Sequence, residues 1–165
     1  MTLCYVFCQN LRILESWQFC QTLVPYKLDK FSPAPKLLDR QSTSPDEELK
    51  LLKKYKVEIY HNEFNNYVDQ RNWAQQNTDI TTEWVLHLDA DERLAKPLCE
   101  NIINVLKTDC NNEIAGYLIS RRTVFMGKFI KYGGHYPVYH NRMFRVSKGM
   151  CETRLYDQHF IVNGK

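Results

Sequence analysis

Trp84-Val85-Leu86-His87-Leu88-Asp89-Ala90-Asp91-Glu92 is the stretch on which the reading of this chain turns. A nearly continuous apolar run ends abruptly in three carboxylates. Such a run, bounded by polar residues, predicts a buried strand. Ligands of open α/β sheets bind outside the carboxyl ends of the strands, where these acids fall. Asp89 and Asp91 stand two apart, so a bend at Ala90 aims both at one point. Hard oxygens in that arrangement suit Mg²⁺ or Mn²⁺ shared with phosphates. A solvated acidic helix start gives a similar pattern, and Glu92 can be only that. A lone D-x-D tripeptide is weak; the context of buried strand, abrupt acid and following helix points to metal–diphosphate binding. An EF-hand is excluded, because the third ligand and the glycine are missing.

Outward from this strand, Lys96–Thr108 (KPLCENIINVLKT) predicts an amphipathic helix with Leu98, Ile102, Val105 and Leu106 on one side. YVDQRNWAQQNT, before the strand, reads as a helix. Further upstream, TLCYVF, KLLD and KVEIYH read as strands. A helix from about residue 44 is capped by Ser44, opened by Pro45 and favoured by Asp46, Glu47 and Glu48 at its positive end. LRILESWQFCQTL has rough helical spacing, and Pro25, Pro33 and Pro35 break the segment after it. From Ile114 the texture becomes short β-rich pieces punctuated by glycine. Strand–helix alternation followed by a β-rich addition predicts an α/β fold with a mostly parallel sheet flanked by helices.

Composition bounds the rest. The 165 residues allow one modest domain or a fragment of a larger one. With 44% apolar and 25% charged residues, a packed core is expected and a disordered tail is not. A net charge of +3 is too weak to argue for nucleic acid. No apolar run reaches the length of a spanning helix, and the start lacks the basic region of a signal peptide. Cys4, Cys8, Cys20, Cys99, Cys110 and Cys151 show no C-x-x-C spacing and are expected to be reduced, packed thiols.

Three ordered blocks resemble bacterial family 2 glycosyltransferases of the lipopolysaccharide-core and surface-polysaccharide type. They are LLDRQSTSPDEELKLLKKYKVEIYHNEFNNYVDQRNWA, EWVLHLDADERL and GYLISRRTVFMGKFIKYGGHYPVYHNRMFR. The resemblance covers about residues 36–165. It implies a GT-A fold and inverting transfer of a sugar, with UDP as the expected nucleotide, to a hydroxyl acceptor in cell-envelope polysaccharide or lipopolysaccharide synthesis. It divides a single domain into a poorly matching part at 1–38, a nucleotide-sugar-binding part at 39–113 and an acceptor and catalytic part at 114–165. It also implies a cytoplasmic protein with peripheral association at the inner face of the cell membrane, and no nucleic-acid partner. The oligomeric state is left open.

The residue roles implied by the resemblance are these. Asp39 would hold the nucleotide base or ribose. Asp91 would ligate Mg²⁺ or Mn²⁺ directly, and Asp89 would lie near the ribose or join the metal through water. Asn72 would contact the donor or support the site. His135, in a glycine–aromatic loop (Lys131–Pro137), would face a sugar, and Arg142 and Arg145 would touch phosphate or pair with carboxylates. Relatives carry His-Glu where this chain has Asp157-Gln158; because glutamine cannot take a proton, Asp157 is the expected base and Glu152 its reserve.

The chain departs from the pattern at Phe7-Cys8-Gln9-Asn10-Leu11, where the acid after Asn is absent. Relatives also continue with helices beyond the point matching Lys165, so the chain is read as altered at both ends. The alternative function is a catalytically inactive fragment retaining only the fold or nucleotide binding. A nucleotidyltransferase would want a Gly-rich phosphate loop that is not visible. Nucleic-acid binding through KFIKYGGHYPVYHNRMFR is opposed by the charge balance, and a His135/His140/Asp157 metal site matches no strong spacing.

Overall fold

In the computed structural model, residues 3–8, 36–40, 58–63, 65–89, 92–108, 113–154 and 158–165 are described. Along them run β1 (Leu3–Cys8), β2 (Lys36–Arg40), β3 (Glu58–Asn62), α1 (Tyr67–Asn77), β4 (Trp84–Leu88) and α2 (Lys96–Thr108). They are followed by β5 (Gly116–Arg121), β6 (Val124–Phe125), β7 (Lys128–Phe129), β8 (Val138–Arg145), β9 (Gly149–Cys151) and β10 (Phe160–Val162). The expected helices near residues 11–23 and 44–55, with the proline-rich segment, lie outside the described residues.

One sheet has the order β3-β2-β1-β4-β8-β5. The first four strands are mutually parallel, and β8 is antiparallel to both β4 and β5. The mostly parallel sheet is thus as read, with one reversed strand set beside β4. Two small ribbons, β6–β7 and β9–β10, form separate two-stranded sheets.

All five residues of β4 are buried, as its apolar run requires. The strand's period of two divides them between two layers. Trp84, Leu86 and Leu88 face α2, joining Leu94, Cys99, Ile102 and Leu106 together with Met143 of β8. Val85 faces α1 and the β9–β10 ribbon, with Val68, Ala74, Phe144, Cys151 and Phe160. Each large side chain sealed this way contributes about 1.5–3 kcal/mol of transfer free energy, so the two half-cores hold the sheet from both sides.

The helices are anchored differently. α2 buries Cys99, Ile102 and Leu106 at helical spacing, close to the expected stripe. α1 starts at Asn66, whose side chain accepts the Asp69 N–H (2.9 Å) while its amide donates to the Asp69 carboxylate (2.7 Å). Its inner face is largely polar. Asn72 donates to the Cys151 carbonyl (3.0 Å) and accepts its N–H (2.9 Å), binding α1 to β9. Gln75 donates to the carbonyls of Val146 (2.8 Å) and Gly149 (2.6 Å). Gly149 fits close under Phe144, where a Cβ would lie 2.5 Å from the ring. Cys99 and Cys151 are buried free thiols, as expected of packed cysteines.

Candidate functional site

The strand order reverses direction between β1 and β4. At such a switch point the chain connections leave to opposite sides, and a crevice opens beyond the carboxyl ends. Asp89 follows β4 directly, so its carboxylate stands at that crevice. Asp39 lies next to last in β2. The pairings Phe7↔Leu37 and Phe7↔Leu88 put Asp39 within a residue of Asp89's level, roughly 10 Å away across two strand spacings.

The Asp89 carboxylate is gripped from two sides. Arg71 Nη2, on α1, donates to Oδ1 at 2.7 Å, and Arg142 Nη2, on β8, donates to Oδ2 at 2.9 Å. Arg142 also reaches Glu92 Oε1 at 2.9 Å. Glu92 Oε2 accepts the Asp89 backbone N–H at 3.0 Å, and the Glu92 N–H donates to the Asp89 carbonyl at 3.0 Å. Two guanidiniums and two carboxylates therefore form a charge-balanced cluster at the mouth of the crevice.

Matched repeats produce this geometry. Arg71 and Gln75 are one helical turn apart, about 6 Å along α1. His87 and Asp89 are two residues apart on one side of the strand, about 6.6 Å. With α1 running against β4, Arg71 meets Asp89 while Gln75 Oε1 meets His87 Nε2 at 3.3 Å. His87 is 2% exposed and lies between Phe144 and Phe160, with ring centroids 5.3 and 4.3 Å away. Burial, reinforced by the charges of Arg71 and Arg142, pushes its pKa down to about 3, so the imidazole is neutral. For Asp89, burial alone raises the pKa; the charges and hydrogen bonds of Arg142 and Arg71 outweigh it and hold the carboxyl below its usual range. Its contribution to stability is therefore present above the ordinary carboxylate pKa and lost as pH falls toward the depressed value. Burial also raises the Cys151 thiol pKa, against the pull of Arg71.

The other expected site residues are distributed as follows. Arg142 joins Asp89, but Arg145 does not. Three residues apart in a strand, they point to opposite faces. Arg145 pairs with Glu83, donates to the Ile114 carbonyl at 2.8 Å and covers the Trp84 ring, 4.6 Å from its centroid. It sits opposite Trp84, at the far end of β4 from Asp89. The Asn72 amide grips the Cys151 backbone, beside a depression of about 300 Å³ lined also by Gln75, Lys148 and Met150. Glu152 accepts Arg154 Nε at 3.1 Å and the His159 N–H at 3.3 Å, closing the loop between β9 and β10. His135 is exposed in a loop with Gly133, Gly134 and a cis Tyr136–Pro137 bond. Because Leu86 pairs with Met143, the start of β8 overhangs the Asp89 level, so this loop belongs to the same edge. Asp91 and Asp157 lie outside the described residues.

Both Asp89 oxygens are held by guanidiniums. Among the described residues no group of three or more His, Cys, Asp or Glu could hold a metal. His140 instead stacks on His159, with centroids 5.6 Å apart. Glu92 is the third acid of the motif, whereas the sequence assigns Arg71 no role of its own. The available signal was the four-residue spacing of Arg71 and Gln75 against the two-residue spacing of His87 and Asp89. No helix of the described residues is long and apolar enough to cross a membrane.

No family model matches the chain. Among solved structures, it is similar to residues 1–349 of TarS from S. aureus in complex with UDP-GlcNAc. The identity is 16% and the TM-score 0.58, over 89% of this chain and 46% of that one. It is also similar to the mannosyltransferase PcManGT from Pyrobaculum calidifontis in complex with GDP-Man and Mn²⁺. There the identity is 16% and the TM-score 0.52, over 73% of this chain and 35% of that one. The chain thus spans less than half the length of either. With its parallel strands, reversed β8 and flanking helices, it has the mixed α/β, GT-A-like fold of these glycosyltransferases.

Proposed function

We propose that this chain is the donor-binding and catalytic part of a family 2 inverting hexosyltransferase. It moves a sugar from a nucleotide-sugar to a hydroxyl acceptor, a saccharide or lipid-linked saccharide, in cell-envelope polysaccharide or lipopolysaccharide synthesis. It works in the cytoplasm at the inner face of the membrane. The observation that carries the reading is the Arg71–Asp89–Arg142–Glu92 cluster at the topological switch point of a GT-A-like sheet. That is where an α/β sheet receives a nucleotide, and paired guanidiniums suit its phosphates.

In this reading residues 39–113 receive the donor. Asp39 accepts hydrogen bonds from the base or ribose hydroxyls. Asp89 keeps Arg71 and Arg142 extended at the mouth, so no reorganisation is required when negative charge develops on the leaving diphosphate. Asp91 is the carboxylate remaining for Mg²⁺ or Mn²⁺, which needs only one or two protein carboxylates beside phosphates and supplies Lewis-acid neutralisation of that charge. Residues 114–165 receive the acceptor. Asp157 takes the proton of the acceptor hydroxyl as its oxygen attacks the anomeric carbon and the bond to the diphosphate breaks on the opposite face. One displacement inverts the centre, and no sugar–enzyme bond forms. Glu152 is left to its loop.

Calorimetric titration of UDP and GDP, with and without Mn²⁺, tests this on the wild type and Asp91→Ala. Metal-enhanced binding that drops by about tenfold or more in the variant supports a working donor site. A cooperatively unfolding protein that binds neither nucleotide overturns it and leaves the inactive scaffold.

A further inference from the structure

The β6–β7 ribbon plays no part in the site described above, yet it holds an unusual surface. Val124, Phe125 and Met126 are 62, 64 and 87% exposed, and Tyr132 beyond them is 78% exposed. Around this apolar tip stand Arg121, Arg122, Lys128 and Lys131, all exposed. From Ile114 to Cys151 the sequence holds seven Lys and Arg and no Asp or Glu, in a chain whose total charge is only +3.

The tip is a positive-φ turn, with Met126 at φ 48° and Gly127 at 74°. Two-residue turns of this kind favour Asn-Gly, because a side chain larger than Asn is strained at the first position. A bulky apolar residue at that position, almost fully in water, serves neither backbone nor core, and such outliers point to function. The base of the ribbon is braced: the Ile130 N–H donates to the Thr123 carbonyl (2.9 Å). Phe129 meets Tyr136 edge-on (5.1 Å), and Arg122 lies over both rings. Arg121, which ends β5, pairs with Val138, so the ribbon stands beyond the same sheet edge as Asp89.

We propose that the β6–β7 ribbon is a membrane-docking finger, whose Phe125–Met126 tip enters the interfacial layer of an anionic bilayer while Arg121, Lys128 and Lys131 engage lipid phosphates. An apolar tip with a basic collar is what such an interface rewards. A nucleic acid would demand a stacking platform in a groove, whereas this tip is convex and partly aliphatic. Docking there would turn the crevice edge toward the lipid. The inference deepens the membrane-face part of the proposed function but uses none of the donor-site residues, so vesicle binding and nucleotide binding can fail separately.

Flotation with phosphatidylglycerol-rich and with pure phosphatidylcholine vesicles tests it, using wild type, Phe125→Ser/Met126→Asn and Lys128→Glu/Lys131→Glu. Asparagine suits the positive-φ position, so the tip variant keeps the fold, which thermal unfolding verifies. Expected are binding to the anionic vesicles only, weakening with salt, and about a tenfold loss in each variant. Nucleotide binding is expected to be unchanged in the tip variant. No binding to anionic vesicles, or equal binding by wild type and tip variant, overturns the proposal. So does displacement of the vesicles by single-stranded oligonucleotide. A self-association seen by sedimentation and abolished by the tip variant, without vesicle binding, assigns the finger to a second copy instead.

Discussion

Arg142 and Arg145 belong to one strand, yet the two ends of β8 do different work. At the crevice end, Arg142 joins a carboxylate cluster with Arg71, Asp89 and Glu92. At the other end, Arg145 is 4% exposed and ties Glu83, the Ile114 carbonyl and the Trp84 ring into the α2 layer. The difference is one of face and level, not of residue type. An arginine at the open edge can exchange partners with an arriving anion, whereas one buried among fixed partners can only hold the fold.

The largest effect that would sharpen this contrast is acid sensitivity, because the crevice end encloses a buried neutral base. His87 takes no proton in the fold until about pH 3, but the unfolded chain takes one near its ordinary 6.5. Stability is therefore complete above pH 6.5 and falls as pH drops, by on the order of 1 kcal/mol per pH unit. Urea unfolding between pH 6.5 and 4.5 reads this above the Asp89 window. His87→Gln should flatten the slope; an unchanged slope refutes the assignment.

Next in size is the buried end. Arg145→Met should lower unfolding free energy by about 2 kcal/mol, since it removes charge-assisted bonds to Glu83 and Ile114. It should leave nucleoside diphosphate affinity within about twofold. A large affinity loss in a stable Arg145→Met protein would return this arginine to the site. The smallest stability effect belongs to Arg142→Met, about 1 kcal/mol, because its partners remain partly solvated. Its affinity loss should be about tenfold or more. A variant with normal affinity breaks the contrast from the other side.

How far these roles could be read beforehand varies along the chain. β4 was legible because a buried strand requires a continuous apolar run, and α2 because its apolar residues recur at helical spacing. α1 was recognised as a helix, but not what it does. Its inner face carries Arg71, Asn72 and Gln75, whose burial follows from partners on other elements. The arginine pair could have been separated earlier, since an odd spacing in a strand places two side chains on opposite faces. Glu152 offered no such cue, because its partner His159 lies across a loop closed only by the β9–β10 pairing.

By itself the sequence determined the strand–helix alternation seen from β3 to β5, the buried β4 and the delivery of Asp89 to the carboxyl edge of the sheet, because periodicity and burial are local properties. Only the tertiary structure decided that β8 runs backward beside β4, that α1 lies antiparallel over it, and hence that Asp89 is held by Arg71 and Arg142 while Arg145 is sealed away. Those contacts join residues 18 and 53 positions apart, and no local spacing specifies which distant side chain will supply the opposite charge.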